Sequence, residues 1–315
     1  MSSYLDTLEA LRKNSGYWAE RIVSQLRYAA NLSKAKNGAY DQLISQAVDF
    51  LDGKCSEEGA ISKAAAVMAE EMISELSPAA KGFKIICTAH AHIDMNWMWN
   101  YAETAAISLD TFRTMLNLMN EYPDFKFSQS QASVYEIVEI YDPEMLEEIK
   151  QRVREGRWEV TAATWVEADK NMPCGESFAR HILYTRRYLS RLLGISPDCL
   201  KIDFEPDTFG HSRNVPEILS RGGVKYYYHC RGYDGHNIYR WKSPSGSSVI
   251  AYKDPFGYNS GIDPEIAMIV PIFCTERGMD TMLKVYGVGD HGGGPTRRDV
   301  EKLIEMNKWP VFPTI

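Results

Sequence analysis

An α/β fold, a β/α barrel carried behind an N-terminal helical segment, is what this sequence predicts, and three observations predict it. Up to about residue 80 apolar residues recur at helical spacing. From residue 81 short apolar runs alternate with helical stretches. Acids, histidines and glycines then cluster immediately after several of those runs. Such alternation implies a parallel sheet covered on both faces, and the repeated short units favour a barrel over an open sheet.

Residues 1–80 are read as the helical segment and 81–315 as the barrel. In the first, YWAERIVSQLRYAANL places Trp18, Ile22, Val23, Leu26 and Ala30 on one face. A second helix is expected over about 40–51. A third is expected to open at Ser56 with an acidic first turn and to stop before Ser77 and Pro78. With no titratable cluster, this part reads as structural or as an assembly surface. At Lys81 and Gly82 the pattern changes, and KIICTA at 84–89 reads as a buried strand. There follow a helix over 104–120, a strand over 125–130, and two helices within 133–155 divided at Asp142 and Pro143. Next come a strand over 158–162, a helix over 176–193, a strand over 200–204 and a helix over 215–220. Strands over 224–228, 248–252 and 283–288 and a helix over 297–307 complete the series.

Composition excludes several classes. Against 42 acidic residues stand 35 basic ones, a net charge of −7, whereas a nucleic-acid binder normally shows a basic face. The apolar runs are much shorter than a membrane span, and the N-terminus lacks the basic start and apolar core of a secretory signal, so the expectation is a cytoplasmic protein. Six scattered cysteines, none at CxxC spacing, read as reduced thiols, several of them buried in strands. Seven tryptophans and 18 tyrosines suit a sugar-binding cleft, although aromatic residues serve cores as well.

In β/α folds the chemistry sits at the C-terminal ends of strands. After the first strand come His90, His92, Asp94 and Trp97. His92 and Asp94, two apart on extended chain, project to one side, and imidazole with carboxylate suits a divalent metal; a capped strand end has the same pattern. After the strand at 200–204 stand Asp203, Glu205 and Asp207, followed by Phe209, Gly210 and His211. Three carboxylates so close are costly unless a cation or proton shares the site, yet acid-rich helix starts also exist. After 283–288, Asp290 and His291 precede Gly292, Gly293 and Gly294, a loop that lets a ligand approach backbone; it matches neither the GK[ST] phosphate loop nor GxGxxG. After 158–162, Trp165, Glu167 and Asp169 form either a site or a plain polar loop.

Taken together and in order, HIDMNW, TWVEADKNMPCGES, DTFGHS and GDHGGGPTRRD resemble glycoside hydrolase family 38, the α-mannosidases, and most nearly their bacterial and cytosolic branch, over about residues 84–300. The resemblance implies a seven-stranded β/α barrel holding one zinc, or another divalent metal such as cobalt. It implies His92, Asp94 and Asp207 as metal ligands, Asp207 also as nucleophile, and Trp97 as a sugar-facing aromatic. Asp290 matches the acid/base, more loosely. The metal would hold the 2- and 3-hydroxyls of a terminal mannose. The implied partner is an α-mannoside oligosaccharide or glycoside, with neither nucleic acid nor membrane, and a homo-oligomer is left open. The family's fourth ligand, a histidine in an HD-hydrophobic-PGS segment, has no match here. The expectation is therefore that the barrel lacks the C-terminal domains of the full-length enzyme, with His291 as a substitute ligand in the other case.

A retaining glycosidase needs a nucleophile and a proton donor, roles that fall to Asp207 and Asp290. Phe209 joins Trp97 as a stacking floor; Arg231, Glu167 and Asp169 are hydroxyl partners; His90 and His211 orient ligands or make structural hydrogen bonds. Two other readings compete. A polysaccharide deacetylase-like metal hydrolase is disfavoured by DTFGHS and by the lack of a His-x-x-x-His pair. An inactive fragment would bind metal or sugar without turnover.

Overall fold

The computed structural model describes residues 4–315. Its helices are α1 (Tyr4–Leu11), α2 (Tyr17–Ala35), α3 (Asp41–Glu58), α4 (Lys63–Met72), α5 (Ser77–Lys81), α6 (Tyr101–Glu121), α7 (Ala132–Tyr141), α8 (Pro143–Arg154), α9 (Gly175–Leu193), α10 (Val215–Arg221), α11 (Val270–Glu276) and α12 (Arg297–Asn307). Its strands are β1 (Lys84–His90), β2 (Phe127–Gln129), β3 (Trp158–Val160), β4 (Ile202–Glu205), β5 (Tyr226–His229), β6 (Ile238–Lys242), β7 (Ser248–Lys253) and β8 (Thr281–Tyr286). The chain divides into two compact units. One comprises the described residues up to Cys87 with Ile262–Lys284 and Arg298–Ile315; the other comprises Thr88–Gly261 with Val285–Arg297.

The first unit is mainly helical. Ile22, Val23 and Leu26 of α2 are buried, while Trp18 and Ala30 on the same stripe are half-buried. Inside this unit Arg21 grips Glu70 through two bonds of 2.8 Å, and the Gln25 carbonyl accepts from the Val311 N–H at 2.9 Å. The expected third helix is displaced. Ser56 lies in the last turn of α3, which continues to Glu58 and is ended by Gly59 at φ 76°, a left-handed cap that costs glycine little. The actual start signal is Ser62, whose hydroxyl accepts from the Ala65 N–H at 3.2 Å and opens α4.

The second unit has the expected alternation of strands and helices. Asn100 and Glu103 form a reciprocal capping box at the start of α6. Asp142 caps α8 by accepting from Met145 N–H at 2.9 Å, with Pro143 in its first turn, which is why α7 and α8 separate there. The strands make two four-stranded sheets, in the orders β3-β2-β1-β8 and β4-β5-β7-β6. β1, β2 and β3 are parallel, as are β4, β5 and β7, whereas β6 is antiparallel to β7. The architecture is thus α/β with parallel sheet, and among the described residues the strand ladders run in two four-stranded sheets rather than in the one continuous seven-stranded barrel that was expected. β6 and α11 were not expected. β6 is a half-exposed edge strand without an apolar run, and α11 is a short helix with Pro271 in its first turn.

Two apolar clusters hold the strand ends in place. Trp158 meets Phe112 and Phe127 edge-on, at centroid separations of 5.2 and 4.8 Å. Ile182 of α9 and Val215 and Leu219 of α10 pack on Tyr227, Val249 and Ala251 of β5 and β7. The six cysteines are free, but only Cys87 lies in a strand; Cys274, the buried one, lies in α11.

Candidate active site

The C-terminal ends of β1 to β5, with the loops after β7 and β8, open onto one cleft of about 490 Å³, within the ~300–1,000 Å³ usual for small-ligand sites. Asp94, Trp97, Glu167, Asp169, Asp207, Phe209, Arg231 and Asp290 all line it. His92 lies beneath its floor, 2% exposed.

Its centre is a carboxylate-rich web. His92 donates from Nε2 to Glu167 Oε2, while its Nδ1 accepts from the Asp290 N–H at 3.3 Å and lies 3.9 Å from Asp94 Oδ1. The other Glu167 oxygen accepts from the Asp207 N–H at 2.6 Å. Asp94 N–H in turn donates to the Asp290 carbonyl at 2.7 Å. Arg231 places Nε and Nη2 each 2.5 Å from Asp207 Oδ1, and Tyr258 also hydrogen-bonds the Asp207 carboxylate. Three acids, Glu167, Asp94 and Asp207, therefore act on the His92 imidazole, Asp207 also holds the Arg231 guanidinium, and the Asp290 carboxylate is bonded by His291.

The electrostatics follow from that crowding. Burial draws the His92 imidazole towards its neutral form, but the charge and hydrogen bond of Glu167, with Asp94 and Asp207, outweigh it and raise its pKa. Burial raises the Asp94 carboxyl; His92 opposes this, and Glu167, Asp207 and Asp290 add to it. Tyr258 is raised by burial first and then by Asp207.

Glycines and unusual backbone set the loop positions. Asp290 sits at φ 63°, in the left-handed region, and His291 Nδ1 bonds its carboxylate. A Cβ on Gly210 would fall 2.5 Å from both Asp169 Oδ1 and Asn171 Nδ2, so glycine lets these two side-chain ends lie against the backbone. Trp97 and Phe209 are 61% and 70% exposed at the cleft, available as apolar faces, and the Arg231 guanidinium lies 4.7 Å from the Phe209 ring centroid.

Besides His92, three expected histidines lie outside the lining. His90 is buried, donates from Nδ1 to the Ser128 carbonyl at 3.0 Å and packs on Phe204 at 4.4 Å; burial, then the charge of His92, hold its pKa down at about 3. His211 accepts from Tyr227 at 3.0 Å and donates to the Arg231 carbonyl at 2.9 Å, so it supports the backbone of Arg231. His291 is half-exposed beside Asp290. Gln131 and Tyr258 were missed. Gln131, at φ 65°, donates to the Ile93 carbonyl at 2.8 Å and accepts from Glu167 N–H at 3.0 Å. Its position just past β2, at a strand end like the others, was the available signal. Tyr258 follows β7 in a loop of no distinctive pattern.

Among the described residues no three His, Cys, Asp or Glu side chains are already gathered at metal-binding geometry. The donor chemistry nevertheless fits a divalent ion. The 3.9 Å between His92 Nδ1 and Asp94 Oδ1 is within the span of two ~2.0–2.2 Å bonds to one metal. The Nε2–H held by Glu167 is also the outer hydrogen bond a ligating histidine usually makes.

The sequence from 82 to 315 matches the model of the glycosyl hydrolases family 38 N-terminal domain. The chain belongs to glycosyl hydrolase family 38. Alpha-mannosidase G of Dictyostelium discoideum is 34% identical over 74% of this chain and 22% of its own length. Human alpha-mannosidase 2C1 is 28% identical over 73% of this chain and 23% of its own length. The chain thus spans less than a quarter of these family 38 relatives. A solved alpha-mannosidase from Enterococcus faecalis V583 shares the fold with a TM-score of 0.64 and 19% identity, over 74% of this chain and 28% of that one. Among the described residues no helix is long and apolar enough to cross a membrane.

Proposed function

We propose that this chain is the catalytic part of a retaining α-mannosidase, with Asp207 as nucleophile and Asp290 as acid/base. The observation that carries the reading is Asp207 itself. One of its oxygens is held by Arg231, its backbone by Glu167, and it shares one cleft with Asp94 and Asp290. The Asp207 carboxylate, oriented by the guanidinium, attacks the anomeric carbon. Asp290 protonates the departing glycosidic oxygen, then takes a proton from the water that cleaves the glycosyl-aspartate. Arg231 holds the Asp207 carboxylate in place before attack. Trp97 and Phe209 offer stacking faces to the pyranose, and Glu167 and Asp169 supply hydrogen-bond acceptors at the cleft wall.

His92, Asp94 and Asp207 are the residues that would hold zinc or cobalt. A bound ion would supply Lewis-acid polarisation and a template for sugar hydroxyls. This reading also takes the two sheets as arcs of the family's seven-stranded barrel, the substrate as a terminal α-mannoside and the setting as cytoplasmic. Its support is the membership of family 38 and relatives named alpha-mannosidase.

The test is hydrolysis of an aryl α-mannoside by the full chain supplied with zinc, and by Asp207→Ala. The variant should keep its circular dichroism spectrum and lose at least about 10³-fold in kcat, since the covalent step has no substitute. Turnover within tenfold of the parent would remove the nucleophile assignment.

A further inference from the structure

Among the described residues no backbone ladder joins β3 to β4, the strand that leads into the proposed nucleophile, so something other than strand pairing must set the register of the loop after β3 against the end of β4. That loop, residues 161–174, carries Glu167 and Asp169 into the cleft. On one side it is tied to the β2 end, where Ala132 N–H donates to the Thr164 carbonyl at 3.1 Å and Glu167 N–H donates to Gln131 at 3.0 Å. On the other side it meets β4 only through side chains. Thr164 Oγ1 donates to Glu205 Oε1 at 3.0 Å, and Lys170 Nζ donates to the same oxygen at 2.7 Å. Lys170 also lies 3.3 Å from Asp203 Oδ2. All of these are buried: Lys170 is 1% exposed, and Asp203 and Glu205 are 0%.

We propose that Lys170 is a positioning residue, a buried ionic staple that replaces the missing β3–β4 ladder and fixes Glu167 and Asp169 relative to Asp207. Thr164 and Lys170 stand six residues apart and hold one carboxylate oxygen, so the chain between them is pinned at both ends. Glu167 is at the midpoint of that span. Glu205 is two residues before Asp207, so the same oxygen that anchors the loop also anchors the strand end presenting the nucleophile. Two further bonds cross the same gap in the same register, Thr208 Oγ1 to the Ala168 carbonyl at 2.6 Å and Asp207 N–H to Glu167 at 2.6 Å. A surface lysine would give no such order. A buried ammonium is held by geometry because water cannot substitute for its partners.

This rests on the glycosidase reading for its kinetic consequence but not for its structural one, and the experiment separates the two. Lys170→Met and a charge-free Lys170→Met/Asp203→Leu/Glu205→Gln variant are compared with the full chain for kcat and KM on an aryl α-mannoside, thermal midpoint, and amide hydrogen exchange in peptides covering 165–172. Lys170→Met should lose about 30-fold in kcat with KM moving less than about threefold, because misplacement of catalytic carboxylates is felt in the chemical step. The charge-free variant should regain most of the lost thermal midpoint while kcat stays low and 165–172 still exchanges faster. A cluster that only stabilises the fold would restore kcat with the midpoint, and that result overturns the proposal. Should Lys170→Met fail to fold, Thr164→Val removes one end of the staple without charge and should also accelerate exchange in 165–172; unchanged exchange there is equally fatal. If the parent chain cleaves no mannoside, the functional reading falls and the exchange data alone decide the staple.

Discussion

Replacing Glu167 by glutamine is a sharp probe of the site, because the substitution keeps the shape and changes only charge and donor count. Glu167 accepts twice: from His92 Nε2–H at one oxygen and from Asp207 N–H, at 2.6 Å, at the other. Glutamine offers a single carbonyl oxygen. If that oxygen keeps the Asp207 N–H, the amide NH₂ faces His92 Nε2 and requires it to be an acceptor. The ring proton must then move to Nδ1, which already accepts from Asp290 N–H at 3.3 Å. One donor is left opposed to another whichever way the amide turns. The lost bond is charge-assisted and lies in a site where His92 is only 2% exposed, so about 1.5–3 kcal/mol is at stake. If that loss falls on the transition state, kcat/KM drops roughly 10–150-fold at 1.36 kcal/mol per decade. The assay is steady-state hydrolysis of an aryl α-mannoside, with circular dichroism to show an intact fold. A folded Glu167→Gln protein within about threefold of the parent would refute the claim that this carboxylate orders His92 and Asp207.

Gly210→Ala should act on binding more than on chemistry. Its Cβ would fall 2.5 Å from Asp169 Oδ1 and Asn171 Nδ2, displacing flexible side-chain ends at the cleft wall. KM should rise about 5–10-fold with a smaller change in kcat, read from the same assay; an unchanged KM would show that Asp169 does not meet the sugar. A pH effect is expected from His229, which is 1% exposed, donates from Nδ1 to the Arg231 carbonyl at 2.7 Å and accepts from Tyr239 at 2.8 Å. Burial first, then His211 and Lys253, outweigh the Arg231 carbonyl and hold its pKa down at about 4. The unfolded chain takes up the proton near pH 6.5, so this contribution is complete above that value and is lost as pH falls towards about 4. Between pH 7 and pH 5 it should cost about 1–2 kcal/mol in urea unfolding, and His229→Gln should show a shallower pH dependence. Equal slopes for parent and variant would assign the acid sensitivity elsewhere.

The sequence by itself determined the alternation of elements and most of the site's membership. Those signals are local: apolar periodicity, Pro143 after the capping Asp142, and polar residues that must follow a strand. Hence α12 was placed at its observed bounds, and His92, Asp94, Asp207 and Asp290 could be named from short motifs. Helix ends with competing signals were less legible; Ser56 and Ser62 both look like caps, and only the left-handed Gly59 between them separates α3 from α4. Tertiary structure alone decided what depends on residues far apart in the chain. It sent His211 to the Arg231 backbone, brought Tyr258 to Asp207, left β3 and β4 unpaired, and buried Lys170 against Asp203 and Glu205. A lysine thirty-three residues before its aspartate carries no sequence pattern that marks it as buried. Its environment is set by which strands become neighbours, and that is fixed by the packing of the whole unit, since the ammonium can leave water only where both carboxylates already wait.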